Sequence, residues 1–153
     1  MRIASMACIT ALALAATAGC KKHVQTPADF AEMKDPGYGY EYRAISSDEI
    51  VIGVQKRANE PEGDVEFWSK VWQEKYPPIK DYLLVTTEDI KTRGGLEGSV
   101  LEFTSEEEDG LYRLLVALFV VKKKIWIVSA GGRDAAVTDK RDAIIDAFET
   151  FKP

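Results

Sequence analysis

The sequence predicts an α+β fold, with a largely antiparallel β-sheet of about six strands held between helices as an α/β/α sandwich. Three observations lead there. Residues 111–121 and 125–128 are apolar on both faces apart from Arg113, and strands of that kind need cover on both sides. Two other segments, one in mid-chain and one at the C-terminus, carry apolar residues at helical spacing. The order ββ-α-ββββ-α, joined by connections of hairpin length, favours antiparallel neighbours.

Taken in order, Tyr38, Tyr40 and Tyr42 alternate and predict a strand with three rings on one face, packed into the protein. Ser46, Ser47 and Asp48 make a turn, and residues 49–57 (EIVIGVQKR) return as the partner strand. Residues 59–63 (NEPEG) are a loop. Asp64 is suited to cap a helix running to about Tyr76, because its carboxylate can accept from the free N–H groups of a first helical turn. Val65, Trp68, Trp72 and Tyr76 share a face of that helix, with Phe67 and Val71 beside them, so an aromatic stripe is expected against the sheet. Pro77 and Pro78 should stop it, since proline lacks the N–H and restricts the preceding residue. Residues 82–92 and 99–106 read as strands about a glycine-rich turn at 94–98, and the two apolar strands are joined by a lysine turn at 122–124. A last helix, starting near Asp134 or Thr138, places Val137, Ile144, Phe148 and Phe151 on one stripe with Ile145 at its margin. No internal repeat or second domain is visible.

Composition agrees with one globular domain: 153 residues, 46% hydrophobic and 29% charged. The net charge is −5, and without residues 1–19, which hold Arg2 and no acid, it is −6. An acidic chain has no clustered excess of base for phosphate, so nucleic acid is not an expected partner.

The N-terminus has the form of a targeting segment. Met1 and Arg2 precede 14 uncharged, mostly apolar residues, 3–16. That run falls short of the ~20 residues needed to span a membrane and has the dimensions of a signal-peptide core. Thr17, Ala18, Gly19 and Cys20 follow, then Lys21 and Lys22; this resembles the bacterial lipobox, with Thr17 where the pattern usually has Leu. The resemblance implies a signal peptide at 1–19 and acylation of Cys20, the membrane partner being reached through that lipid. In a Gram-negative cell, a basic residue rather than Asp after Cys20 implies the outer membrane. Ordinary cleavage after Ala18 is the alternative and would leave Cys20 as a free thiol in a soluble secreted protein. Cys8 departs with the signal, so Cys20 would be the only exported cysteine, without an intramolecular partner in an oxidising compartment. Residues 21–36 read as a tether of roughly 22 Å, treated as flexible coil, with a helical turn near 28–33.

The tract NEPEGD-x-x-FW at 59–68, the glycine-rich turn, and LFVVKKKIWIVSAGG at 118–132 before a terminal amphipathic helix resemble the PsbP/DcrB type of domain across residues 37–152. The resemblance implies an α/β/α sandwich and membership among small, frequently lipidated bacterial proteins. It implies a non-enzymatic part, since PsbP is an extrinsic subunit assisting a membrane complex, and it supplies no catalytic motif to carry over.

The residues themselves point away from an enzyme. His23 is the only histidine and lies in the tether, so no Ser-His or Cys-His pair is expected in the domain, and HExxH and CxxC motifs are absent. Glu106, Glu107, Glu108, Asp109 and Gly110 lack the alternating spacing of a calcium loop and read as a solvated hairpin tip. No cofactor or metal is expected. Two loops are candidate binding sites: Asn59 and Glu60 at the mouth of the first helix, and Gly131, Gly132 and Arg133, which could present N–H groups and a cation to an anion or merely form a glycine turn. The expectation is a membrane-anchored binding or assembly module with a protein partner in the cell envelope, or a lipoprotein that senses a small ligand or metal ion.

Overall fold

The computed structural model describes residues 22–153, together with the backbone but not the side chains of residues 79 and 80; Cys20 and the signal segment lie outside the described residues. Seven strands form one antiparallel sheet: β1 (Phe30–Glu32), β2 (Tyr42–Ser46), β3 (Val51–Ala58), β4 (Leu83–Lys91), β5 (Glu97–Glu107), β6 (Gly110–Val121) and β7 (Lys124–Arg133). Their order across the sheet is β1-β2-β3-β7-β6-β5-β4. Helix α1 (Val65–Lys80) lies on one face, while α2 (Asp134–Asp139) and α3 (Arg141–Glu149) lie on the other. The α+β sandwich read from the sequence is present, with one strand more than expected.

The pattern of β6 and β7 explains the three layers. Leu115, Ala117 and Phe119 of β6, with Trp126, Val128 and Ala130 of β7, meet Val137, Ile144, Phe148 and Phe151 on the α2/α3 side. Val116 and Leu118, with Ile125 and Ile127, turn to the other side, where Leu101 and Phe103 join Trp68, Trp72, Tyr76 and Tyr82. Because successive side chains of a strand point to opposite faces, a run apolar at every position feeds two cores at once.

Five local expectations are corrected. The segment before Tyr38 is not a free tether from Lys22 onward. Val24 and Phe30 are buried in the α2/α3 core, and Phe30, Ala31 and Glu32 pair with Ser46, Ile45 and Ala44. One buried phenylalanine and a three-residue ladder fix as a strand what read as a helical turn.

The three tyrosines do not share a face. Gly37 and Gly39 take left-handed backbone angles (φ +83° and +81°), which turns the chain just where alternation would continue. Tyr38 is left wholly exposed, Tyr40 lies over Gly53 and under the Arg43 guanidinium (4.8 Å), and only Tyr42 enters the core, its hydroxyl 2.7 Å from Thr26 Oγ1.

Helix α1 does not stop at Pro77. Asp64 caps it as expected, accepting from the Phe67 N–H at 2.8 Å, but both prolines lie inside the last turn and the chain exits at Asp81 in a left-handed conformation. Tyr76 stacks on Trp72 (4.8 Å) and packs against Tyr82 and Phe103 (5.4 Å each), so aromatic packing at the helix end outweighs local propensity.

The glycines 131 and 132 lie inside β7, not in a turn. A Cβ on Gly131 would sit 3.2 Å from Leu114 Cδ1, and one on Gly132 would sit 3.2 Å from Ile50 Cα. Their bareness lets the strand run on to Arg133 between close neighbours. The terminal helix is also divided in two at Lys140, whose ammonium is held by Asp29 and Asp48.

Candidate functional site

The sheet is wider than the helix that covers it. On the α1 side, β4 and the start of β5 extend past the aromatic stripe, and the chemistry changes there from apolar to polar. Thr87, Asp89 and Lys91 of β4, with Glu97 and Ser99 of β5, form a floor, because alternate residues of paired strands share a face. Val65, Ser69 and Gln73, spaced by four along α1, form the wall. Between them runs an open groove of about 910 Å³. At its base Ser69 and Ser99 are buried with their hydroxyls 3.2 Å apart, and Gln73 donates to Ser69 at 3.2 Å. Glu66, Lys70 and Glu74 of α1 complete the lining, and within the floor Lys91 pairs with Glu97 at 3.6 Å beside Asp89. The groove offers hydrogen bonds and negative charge, and its serines have no histidine beside them. His23 sits on the other face of the sheet, its Nδ1 2.9 Å from the Lys152 carbonyl and its ring 4.9 Å from Trp126.

Along one side of this groove lies the outer edge of β4, which has no neighbouring strand among the described residues. Its first three residues are apolar and open to solvent: Leu83 is 72% exposed, Leu84 39% and Val85 51%. Val85 occupies a bulge, since Leu84 pairs with Phe103 and Thr86 with Glu102. An edge strand of this composition is a template for another chain, and natural sheets usually guard such edges with charge.

The residues singled out from the sequence fall at two separate places. Asn59 and Glu60 follow β3, whereas Gly131, Gly132 and Arg133 close β7; the pairing of Ala58 with Lys124 and of Val51 with Gly131 puts them at opposite ends, roughly 25 Å apart at ~3.4 Å per residue. Asn59 is buried and engaged. Its Oδ1 accepts from the Gly63 N–H (3.0 Å) and from Trp68 Nε1 (2.6 Å), while its Nδ2 donates to the Gly63 carbonyl (2.9 Å). It latches the loop onto α1. Asn59→Ala should therefore cost about 2 kcal/mol, because Trp68 Nε1 and two backbone groups lose their partner; chemical denaturation should show a lower midpoint with an unchanged slope. Glu60 is exposed. Gly131 is in register with Val51 of β3 and Leu114 of β6, and Gly132 with Arg113 of β6. Arg133 reaches across to the β5–β6 tip, donating to the Asp109 carbonyl (2.8 Å) and carboxylate (2.7 Å) and lying over Tyr112. That tip carries the acidic run as an exposed hairpin end, and no cluster of three metal-ligating side chains occurs among the described residues.

One constellation escaped the sequence reading. Glu102 of β5 is buried on the α2/α3 face between two guanidiniums: Arg113 of β6 donates to one oxygen and Arg141 of α3 to the other at 3.1 Å. Arg113 also donates to Asp134 (2.7 Å), and Arg141 to Glu88 (3.2 Å). Burial works against the charge on both arginines, yet both are held above their ordinary values, Arg113 by Asp134 and Glu102 and Arg141 by Glu102 and Glu88. Arg113 was visible as a break in an apolar strand; its partners lie 11 and 21 residues away and no local pattern announces them.

No family model and no curated protein matches the sequence. Solved structures do. The chain is similar to CyanoP, the cyanobacterial PsbP of Synechocystis sp. PCC 6803, at 10% identity and a TM-score of 0.59 over 83% of each chain. It is similar to PA94 of Pseudomonas aeruginosa, a protein of unknown function, at 15% identity and a TM-score of 0.53 over 84% of this chain and 85% of that one. It is also similar to LpqN, involved in cell envelope biogenesis of Mycobacterium tuberculosis, at 13% identity and a TM-score of 0.56 over 84% of this chain and 78% of that one. The PsbP/DcrB resemblance is thereby borne out at the level of fold.

Proposed function

We propose that this PsbP-like domain belongs to a bacterial cell-envelope lipoprotein, acylated at Cys20, that acts as a non-enzymatic binding or assembly module and takes a protein partner along the free edge of β4. The observation that carries the reading is the run of Leu83, Leu84 and Val85, exposed on an outermost strand. An extended, apolar segment of a partner can add there as a further strand, main-chain bonds supplying affinity and alternate side chains supplying choice. The similarity in fold to LpqN, which is involved in cell envelope biogenesis, supports an envelope setting. The lipobox-like residues at 17–20 support the anchor, and among the described residues no helix is long and apolar enough to cross a membrane. His23 is engaged in packing, which removes the one residue best suited to activate a nucleophile.

The test is recovery from detergent-solubilised envelopes. The acylated protein should bring down a partner in near-equal amount, and Leu83→Lys/Val85→Lys should lose it at least tenfold while melting within a few degrees of the parent, since both side chains already face water. Repeated recovery of the protein alone would overturn the reading. Mass spectrometry of the mature N-terminus checks the anchor, an unmodified Cys20 counting against it.

The groove beside α1 favours a second reading, a sensor of a small polar ligand or cation. Thermal unfolding against a panel of metals, amines and sugars separates the two, because a ligand at 100 times its Kd stabilises by about 2.7 kcal/mol. A flat panel removes it.

A further inference from the structure

Strand β6 carries opposite charge at its two ends. It starts from the hairpin tip that holds Glu106, Glu107, Glu108 and Asp109, and twelve residues later it enters the turn of Lys122, Lys123 and Lys124. At ~3.3 Å per residue these tips lie about 40 Å apart. All three lysines are exposed, and none forms an ion pair among the described residues.

The first described residue emerges at the lysine end. His23 packs on Trp126, two positions from Lys124, and its carbonyl accepts from the Lys152 N–H at 2.8 Å. Lys22, Arg93 and Lys152 border one shallow hollow there; Arg93 lies in the β4–β5 turn, at the same end of the sheet because the start of β5 pairs with the end of β6. Glu62 and Asp64 flank the turn beside Lys122, Asp146 shares a hollow with Arg93, and Glu32 pairs with Lys22, so acids border this end; the turn itself is three consecutive exposed bases that none of them pairs. Only Lys21 stands between Cys20 and Lys22. Two residues cover no more than about 7 Å even when extended. A lipid on Cys20 therefore leaves no slack of the kind a 16-residue tether would give, and this end must lie at the headgroups.

We infer that the lysine turn at 122–124, with Arg93 and Lys152, docks on anionic lipid headgroups and orients the domain so that the acidic β5–β6 tip and the apolar start of β4 face away from the membrane. The orientation rests on acylation of Cys20; the docking does not. Clustered base beside a surface of phosphate gains affinity with each residue, whereas the acidic far tip is repelled. The start of β4 pairs toward the end of β5 and so lies at that far end, where a partner can reach it.

The experiment uses the mature chain carrying Cys20→Ser, purified without acyl groups, in sedimentation with vesicles of phosphatidylcholine alone or mixed with phosphatidylglycerol. Binding is expected to the mixed vesicles only, and to fall as salt rises from about 0.1 to about 1 M and the screening length shrinks from ~10 to ~3 Å. Lys122→Glu/Lys123→Glu/Lys124→Glu should reduce it by more than about a hundredfold, since the loss of each lysine costs roughly fivefold and each new carboxylate repels the surface, with an unchanged melting profile showing that the fold survives. Equal binding to both vesicles, or binding untouched by the triple reversal, would overturn the inference. Failure of the anchor reading shows separately, as an unmodified Cys20 in the mature protein.

Discussion

Glu102→Ala should lower the folding stability by about 3 kcal/mol and the thermal midpoint by roughly 10 °C, the largest loss expected from any single charged residue. The carboxylate side chain is 4% exposed and receives both Arg113 and Arg141. Removing it leaves two guanidiniums facing each other across a site with little water. The figure lies at the low end of the range for breaking a buried pair because Arg141 is 29% exposed and keeps Glu88, and Arg113 keeps Asp134. The decisive comparison is Glu102→Leu/Arg113→Met. Exchanging the central pair for apolar side chains of similar size removes the more buried guanidinium together with the carboxylate and leaves only partly exposed charges, Asp134 without Arg113 and Arg141 with Glu88, so the double variant should melt above Glu102→Ala. If Glu102→Ala melts with the parent, the network is peripheral to stability. If the double variant is worse than the single, the pair is worth more than its cost of burial. The network joins β4, β5, β6 and the first turns of α2 and α3, so its loss should also loosen the β4 edge where the partner is proposed to sit.

How much of this was legible in the sequence depends on whether the cause was local. The doubly apolar β6 and β7, the Asp64 cap and the stripe of Trp68, Trp72 and Tyr76 were readable because strand alternation and helical spacing act within a few residues. The β1 strand was not, because Phe30 becomes a core residue only through neighbours far along the chain, and three residues are too few to show a period. The tyrosine stripe failed for the opposite reason: the alternation was real, but two left-handed glycines bend the backbone through it. Gly131 and Gly132 read as a turn because glycine usually marks one; here it marks close passage under Ile50 and Leu114. The candidate site was the least legible part. The groove exists because the sheet outreaches α1, and the open edge exists because β4 comes last in the sheet order; both are properties of topology and leave no motif. Cys20 is the converse, a motif without a described neighbourhood.

Phe119→Ala should cost about 3–5 kcal/mol, as expected for truncating a wholly buried aromatic side chain whose surroundings cannot close the void. Phe119 stacks on Phe151 with ring centroids 4.9 Å apart and 19° between planes, and Phe151 in turn meets Trp126 at 5.5 Å. Its other side rests on Gly98, where a Cβ would come within 2.5 Å of the Phe119 ring and 2.6 Å of the Leu118 carbonyl. The expected turn glycine is therefore a strand glycine that makes room for a ring. Two outcomes follow from that geometry. Gly98→Ala should destabilise although it adds a single methyl group to a strand, because both the ring and a backbone oxygen block it. Combining it with Phe119→Leu should relieve only part of the loss, since the leucine frees the ring's space while the carbonyl of residue 118 stays in place. Denaturation of the two single variants and the double gives the coupling directly. A double variant as stable as Phe119→Leu alone would show that the backbone yields at no cost; additive losses would show that ring and glycine are independent. The same layer carries the consequence for membrane docking. Trp126 and Phe151 are the surfaces on which His23 is seated. Loosening Phe119 should free the segment at 22–24 and lengthen the reach of the anchor, so acylated Phe119→Ala should depend more on anionic lipid for its orientation than the parent does, because the lysine contact alone would then orient it.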